Sequence, residues 1–524
     1  MKRIPEQIWV FAGSFIFFLL SLAENFSGPH DSITYLNGIV DGYPLVNQHH
    51  LLYHYSAYIW LHTWQPIFPG AADYYIIETF SAVWGSCSLA VVYSFFRNRF
   101  KRSVTESIAG MLPVAFSYAF WFYSVNIEVY APPLFFILLA LYFLTKEILS
   151  TADWWRVIVL HVLAILFHQI NSLFVVVIIF RMWQQRKYIS FPRWMVLYSL
   201  TGTFLVGGAY FIVGWIIEQQ NSFVKWVSWM KGYAGGSEFW YPLGTKTLVD
   251  VSYGYSHSML GGHFVFQLAP VKNILKKSLA AHSLSDELFI ARNISSGMAV
   301  FLTILTVILF IVVCWLLVRF IKNFRTIRNN FPSVIVPLIL TFFIYSAFFT
   351  FWMPEILEFW ILQSVLTWLL LLGTLPAVLF GGKIKQVFLY GMIGGLLFCI
   401  NYFGSIRWME HKENDLYYVK TIPLKSIVKE NDFVILQDGW ILKDFLSYFT
   451  KLKIQAVPPR DSSQSALSEK FMLTLAGKGS VFILPEINNK FRAPDTQYID
   501  SLRKQYSSRI TLIRSKDPEI WMIE

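Results

Sequence analysis

The residues best suited to chemistry lie in and just beyond the stretch Glu24 to Gln65, which contains no Lys or Arg and three acids, Glu24, Asp31 and Asp41. A loop of this length between apolar segments is usually functional or disordered. Asp31 sits in Gly28-Pro29-His30-Asp31-Ser32, where a turn can present a carboxylate as a general base toward a hydroxyl or as a ligand to a metal ion. Asp followed by Ser-Ile-Thr-Tyr is also a good helix start, and the two roles are compatible. His50 and His54 are four apart, a spacing that suits metal ligation on one helical face and equally an amphipathic interfacial helix over residues 49–64.

Further along, Glu128 lies in Asn126-Ile127-Glu128-Val129-Tyr130 between two apolar segments, where an acid is expensive to keep unless it has a role; the alternative is an ordinary interfacial carboxylate. His168 stands beside Gln169 and Asn171, either lining a polar cavity or simply hydrogen-bonded. Glu355 and Glu358 share an aromatic segment, 351–360, at i and i+3. Lys231 and Arg292 are isolated cations in a long polar segment that could hold a phosphate, or plain surface charge. Asp31 and Glu128 are therefore the catalytic candidates, and His30, His168, Lys231, Arg292, Glu355 and Glu358 the candidates for substrate binding.

The elements that must position them are set by composition. The chain has 524 residues, 55% hydrophobic and 18% aromatic with 14% charged, well below the roughly 25% charged residues of a soluble domain. With about 20 apolar residues per crossing, helices are expected at 8–23, 72–96, 104–123, 127–145, 194–217, 296–320, 332–351, 359–380 and 385–404. A hairpin of two short helices over 156–183, split at His168, brings the total to eleven. The first segment has no convincing cleavage site and is read as a retained span. Cys87, Cys314 and Cys399 all fall in apolar runs and read as packing.

Orientation follows from the cations. With the N-terminus inside, eighteen Lys and Arg fall on the cytoplasmic side and none in the short outer loops, as the positive-inside rule asks. The long segment 218–293 carries seven, and long loops escape the rule. The acids Glu24, Asp31, Asp41, Asp73, Glu128, Glu355 and Glu358 then gather at the outer face. The tail 405–524 follows, also outside, with eighteen basic and fifteen acidic residues. Its apolar runs DFVILQ, KIQAVP, GSVFILP and ITLIRS alternate with helical patterns at 441–451, 464–477 and 496–507. Strands separated by helices favour a parallel sheet. No glycine fingerprint for a nucleotide is present, so the tail reads as a scaffold or an acceptor-docking domain.

The reading is thus an α-helical polytopic membrane protein, 1–404 with outer loops 24–71 and 218–293, followed by a small soluble extracytoplasmic α/β domain, 405–524. The order of a first span, an outer loop with Asp31, a downstream Glu128-Val129-Tyr130, a histidine in a short hairpin and a terminal outer domain resembles the C-type (GT-C) multi-spanning glycosyltransferases. The similarity is to the bacterial branch near the protein O-mannosyltransferases and aminoarabinose transferases, and it covers residues 1–404. It implies transfer of a sugar from a polyprenyl-phosphate donor to an acceptor hydroxyl of a protein, lipid or glycan, with inversion, in the bacterial inner membrane and among its lipids. Asp31 would be the general base, and Glu128 would orient the acceptor or share a metal.

Many such enzymes carry a second acid beside the loop aspartate; here the neighbours are His30 and Ser32, so a divalent metal ion stays an open candidate cofactor. Nucleic acid has no place in this reading. A transporter or lipid flippase is the rival, but such proteins place ionisable groups near the bilayer midplane in related halves, and no internal repeat is evident. A third possibility is an assembly or sensing protein whose work is done by the tail.

Overall fold

The computed structural model describes residues 5–29, 31–232, 236–278, 285–379, 383–437, 440–457, 465–485, 496–516 and 518–524. The apolar segments are helical, as hydrocarbon requires of any backbone that must satisfy its own hydrogen bonds. Among the described residues, six helices are long and apolar enough to cross a membrane: Asp73–Arg99, Phe191–Ile217, Ser296–Lys322, Pro332–Phe351, Leu357–Leu375 and Lys383–Met409. Shorter apolar helices are Glu6–Leu19, Val104–Ala115, Ala131–Leu144 and Gln169–Gln184, with Thr151–Phe167 preceding the last. The helix Ser296–Asn330 exposes Val300, Ile304, Ile308 and Ile311 along one side. An apolar face of that extent belongs against lipid, and the chain is an integral membrane protein.

Local chemistry explains the breaks. The segment expected at 104–123 is two helices, Val104–Ala115 and Tyr118–Ser124. Pro113 has no N–H to give the Ala109 carbonyl, and at the break the Ser117 N–H turns to the Val114 carbonyl at 3.2 Å while its hydroxyl donates to the Pro113 carbonyl at 2.7 Å. Ser103 starts the first of these with a capping box to Glu106. The hairpin is present as expected: His168 is extended, with φ −159° and ψ 115°, between Thr151–Phe167 and the 3₁₀ turn Gln169–Phe174.

The chain divides into two compact units. The helical unit comprises Met1–Ala23, Gly38–Val265 and Ile294–Arg407; the second comprises Glu24–Asn37, Phe266–Asn293 and Trp408–Glu524. The tail therefore forms one body with the first part of the acid-bearing loop and with the end of the long segment 218–293.

The second unit holds a five-stranded sheet: β1 (Phe433–Leu436), β2 (Ile454–Ala456), β3 (Val481–Leu484), β4 (Ile510–Arg514) and β5 (Ile520–Ile523), in the order β2-β1-β3-β5-β4. β1 runs parallel to β2 and β3, while β5 is antiparallel to β3 and β4. The wholly parallel sheet expected from the sequence is thus corrected to a mixed one. Only residues 515–519 join β4 to β5, too few for the crossover that parallel neighbours need. β1 and β3 are buried throughout, against Leu467, Phe471, Ile499 and Leu502 of the intervening helices.

Candidate functional site

In the helical unit the acids Glu355 and Glu358 are held by tyrosines. The helix Tyr118–Ser124 stops at Val125, and Ala131–Leu144 restarts with Pro132 and Pro133 in its first turn, where a missing N–H is harmless. Tyr123 and Tyr130 therefore stand on either side of a short turn. Both hydroxyls donate to one carboxylate: Tyr130 to Glu358 Oε1 at 2.7 Å and Tyr123 to Glu358 Oε2 at 2.8 Å. Phenol donors to an ionised acceptor are among the stronger hydrogen bonds.

The His168 ring lies 5.4 Å from that of Tyr130. A pocket of about 50 Å³ is lined here by Tyr130, His168, Asn171, Tyr345, Phe349 and Glu358 among others. Asn171 is fixed by Tyr345, whose hydroxyl donates to Oδ1 at 3.0 Å, and by His161, whose Nε2 lies 2.8 Å from the Asn171 carbonyl. Glu128 is 2% exposed, accepts from the Val129 N–H at 3.1 Å, and its charge bears on both Tyr123 and Tyr53. Glu128, His168 and Glu358 thus belong to one neighbourhood.

The histidines of the loop that follows the first helix adjoin it. His50 stacks 5.6 Å from His54 and lies 5.9 Å from His168. Backbone bonds from Gln169 to His49 (2.8 Å) and from Leu52 to Leu166 (3.0 Å) pin this loop to the hairpin. Burial pushes His49 and His54 down to about 4 and His50 well below its ordinary value. These imidazoles are neutral at physiological pH and supply no positive charge for a phosphate. Among the described residues, no three His, Cys, Asp or Glu side chains are grouped as a metal site needs.

Glu355 has a phenol donor of its own. Glu355 Oε1 accepts from the Tyr241 hydroxyl at 2.7 Å, while Oε2 is buried with no hydrogen-bond partner among the described residues, and burial raises this carboxyl. The segment carrying both acids is clamped by the long segment 218–293. Tyr241 N–H donates to the Phe351 carbonyl at 2.8 Å and Met353 N–H to the Phe239 carbonyl at 3.3 Å, with Trp240 bridged to Trp352. Lys231 is exposed at the end of the helix Phe223–Lys231. Its successor Gly232 has φ +49° and lies against the first loop, where a Cβ would meet Gln48 Nε2 and His49 Nε2 at 2.5 Å. Only glycine suits both demands.

The remaining candidates are in the second unit. Asp31 is half-buried just before the helix Ser32–Asp41. Its carbonyl accepts the Tyr35 N–H at 2.9 Å, the N-cap position foreseen from the sequence, and its Oδ2 accepts from the Tyr35 hydroxyl at 3.1 Å. Arg292 is exposed, donates to the Glu413 carbonyl at 3.3 Å and lies 3.5 Å over the Phe289 ring. His30 lies outside the described residues. Sequence reasoning missed Tyr123, Tyr130 and Tyr241 as partners of the acids: the two tyrosines flanking Glu128 were visible, but nothing in the chain brings Glu358 to them over more than two hundred residues.

No family model and no curated protein matches the chain. Among solved structures, it is similar to the crystal structure of ArnT from Cupriavidus metallidurans in the apo state, with a TM-score of 0.49 and 11% identity over 98% of this chain and 97% of that one. The same protein bound to undecaprenyl phosphate aligns with a TM-score of 0.45, again at 11% identity over 98% and 97% of the two chains.

Proposed function

We propose that this protein is a membrane glycosyltransferase of the GT-C kind, moving a sugar from a polyprenyl-phosphate donor to an acceptor hydroxyl at the outer face of a bacterial inner membrane. The observation that carries this reading is the Tyr123–Glu358–Tyr130 arrangement beside His168 and Glu128, with a pocket reached among apolar helices. A donor with an isoprenoid tail comes to its enzyme through the bilayer. A carboxylate flanked by two phenols in an otherwise apolar helical body suits sugar hydroxyls, and lipid-facing helices suit the tail.

In this reaction the acceptor oxygen attacks the anomeric carbon, forming the new glycosidic bond with inversion. The bond from that carbon to the phosphate oxygen breaks, and polyprenyl phosphate leaves with the electron pair. Asp31 takes the acceptor's proton as general base. Glu358 and its two tyrosines hold sugar hydroxyls, Glu128 orients the acceptor, and Lys231 or Arg292 neutralises charge on the departing phosphate. A divalent cation would need ligands beyond those grouped among the described residues, so no step is routed through one.

The test is reconstitution of the full-length protein with a polyprenyl-linked sugar. Release of polyprenyl phosphate that disappears in Asp31→Asn supports transfer; release that persists unchanged in that variant removes Asp31 from the mechanism. Movement of the intact lipid-linked sugar across the bilayer, without release, would make the protein a transporter.

A further inference from the structure

The loop that carries Asp31 is held by the tail at five residues, Glu24, Phe26, Ser27, Thr34 and Asn37. Asp415, fully buried, is the main fastening. Its Oδ1 accepts the N–H groups of Tyr417 and Tyr418 at 2.9 Å each, capping the helix Leu416–Ile427. Its Oδ2 accepts the N–H groups of Phe26 at 2.7 Å and Ser27 at 2.9 Å, and the Ser27 hydroxyl donates to Oδ1 as well. One carboxylate thus serves a helix end and a loop backbone together.

Asp444 takes the other end of the loop. Its Oδ2 accepts from the Thr34 hydroxyl at 2.5 Å, and its carbonyl accepts from the Asn37 amide at 3.0 Å. Glu24 is tied at both ends of the residue, its N–H to the Met409 carbonyl at 2.8 Å and its Oε2 to the Lys412 N–H at 3.2 Å. The Phe26 ring packs on Phe445 and Phe449. Asp31 lies between the two fastenings, four residues after Ser27 and three before Thr34.

We propose that Asp415 is a positioning residue for the transfer reaction, fixing the Phe26–Ser27 backbone and through it the place of the Asp31 carboxylate. The tail is then part of the reaction machinery without touching a substrate. This rests on the reading of Asp31 as the base. A carboxylate accepts on both oxygens, whereas an amide accepts on one and donates from the other. In Asp415→Asn the side chain can cap the helix, for which Asn is well suited, or receive the loop, but it turns an N–H donor toward whichever set of N–H groups remains. The tail keeps its fold and the loop is released.

The experiment uses the full-length protein in lipid nanodiscs with a polyprenyl-linked sugar. Asp415→Asn is expected to lower kcat by about 10²-fold while KM for the lipid donor changes no more than about two-fold, the signature of misplaced reacting groups. Amide exchange should rise at Phe26 and Ser27 and stay unchanged in β1 and β3. In an Asp31→Asn background the second substitution should add no further loss, because a group acting only through Asp31 has nothing left to position. Ser27→Ala, which removes one donor and leaves the carboxylate intact, should lose about ten-fold at most and serves if Asp415→Asn does not fold.

Full kcat in Asp415→Asn with faster exchange at Phe26 overturns the positioning role, as does an equal loss in both backgrounds. Unchanged kcat in Asp31→Asn overturns the base reading and the positioning role with it, so the two failures are told apart.

Discussion

Two carboxylates show how differently this molecule uses the same group. Glu358, in the helical unit, is held by two phenol hydroxyls; Asp415, in the second unit, holds four backbone N–H groups and a serine. The first arrangement is side chain to side chain and can yield, since each hydroxyl can rotate to donate or accept. The second is side chain to main chain, and backbone donors cannot reverse. The helical unit offers an adjustable polar cluster; the second unit fixes a loop.

That contrast is open to direct attack. The largest effect belongs to Asp31→Asn, for which loss of the base should lower transfer by about 10²- to 10⁴-fold, measured as polyprenyl phosphate released. Next comes the same amide substitution at the two carboxylates. Glu358→Gln retains one acceptor for a tyrosine and offers a donor to the other, whose oxygen can accept. It should lose about ten-fold or less, chiefly in KM for the sugar donor. Asp415→Asn should lose more and in kcat. Equal losses, or losses in the same kinetic parameter, would erase the distinction drawn between the units. Glu358→Ala removes the shared acceptor altogether and leaves the buried Tyr123 hydroxyl without it, at about 1–3 kcal/mol, seen as a lower Tm.

How much of this was readable in the chain depends on the range of the interaction. Helices were legible because apolarity over twenty residues is a local property, and so was the break at His168, flagged by Gln169 and Asn171 beside it. Asp31 at a helix start was legible from the four residues that follow it. The antiparallel turn of the sheet was missed because β5, Ile520–Ile523, is four residues long and its pairing with β3 depends on chain some forty residues away. The partners of the acids were missed for the same reason on a larger scale. Glu358 meets Tyr123 across 235 positions and Asp415 meets Phe26 across 389, and neither pattern leaves a trace in composition or spacing.

Close approach of backbone gives a smaller effect that separates packing from chemistry. Gly254 lies against the segment carrying Glu355 and Glu358: a Cβ there would be 2.2 Å from the Pro354 carbonyl oxygen and 2.8 Å from Trp360 Nε1. Gly254→Ala must push that segment outward, at about 1–3 kcal/mol of overpacking, and should lower Tm while raising the donor KM. Gly297, in the helix Ser296–Asn330, has open space around it. Gly297→Ala should leave activity intact and stabilise the helix by up to about 1 kcal/mol. If both behave alike, the clamp on Glu355 and Glu358 is not a constraint.

The smallest effect is a pH dependence confined to the second unit, where acids are gathered. Asp286, on the helix Ser285–Ala291, is buried and pushed up to about 7; burial is the main cause, opposed by Lys420 and by the Ser27 hydroxyl. Asp415 faces the same hydroxyl and is pushed up to about 6, by burial and in part by Asp286, and Glu287 is raised by burial and by Asp286 beside it. A carboxyl whose folded value exceeds its unfolded one favours the folded arrangement when protonated, so its contribution is complete below about pH 4 and is lost as the pH rises through 7. Docking of Ser285–Ala291 should therefore loosen between pH 6 and 8, read as amide exchange that outruns its intrinsic rate. Asp286→Asn, neutral throughout, should flatten most of that dependence while exchange in the Tyr123–Tyr130 turn of the helical unit stays the same. Asp415 obeys the same rule: its raised value means that the folded arrangement gains as it is protonated, so its contribution is also lost as the pH rises through about 6. Two raised carboxyls that meet at one serine hydroxyl therefore demand a common response, with exchange at Phe26 and Ser27 rising with pH alongside that of Ser285–Ala291, and opposite responses from the two segments would show that burial does not set the titration of Asp415.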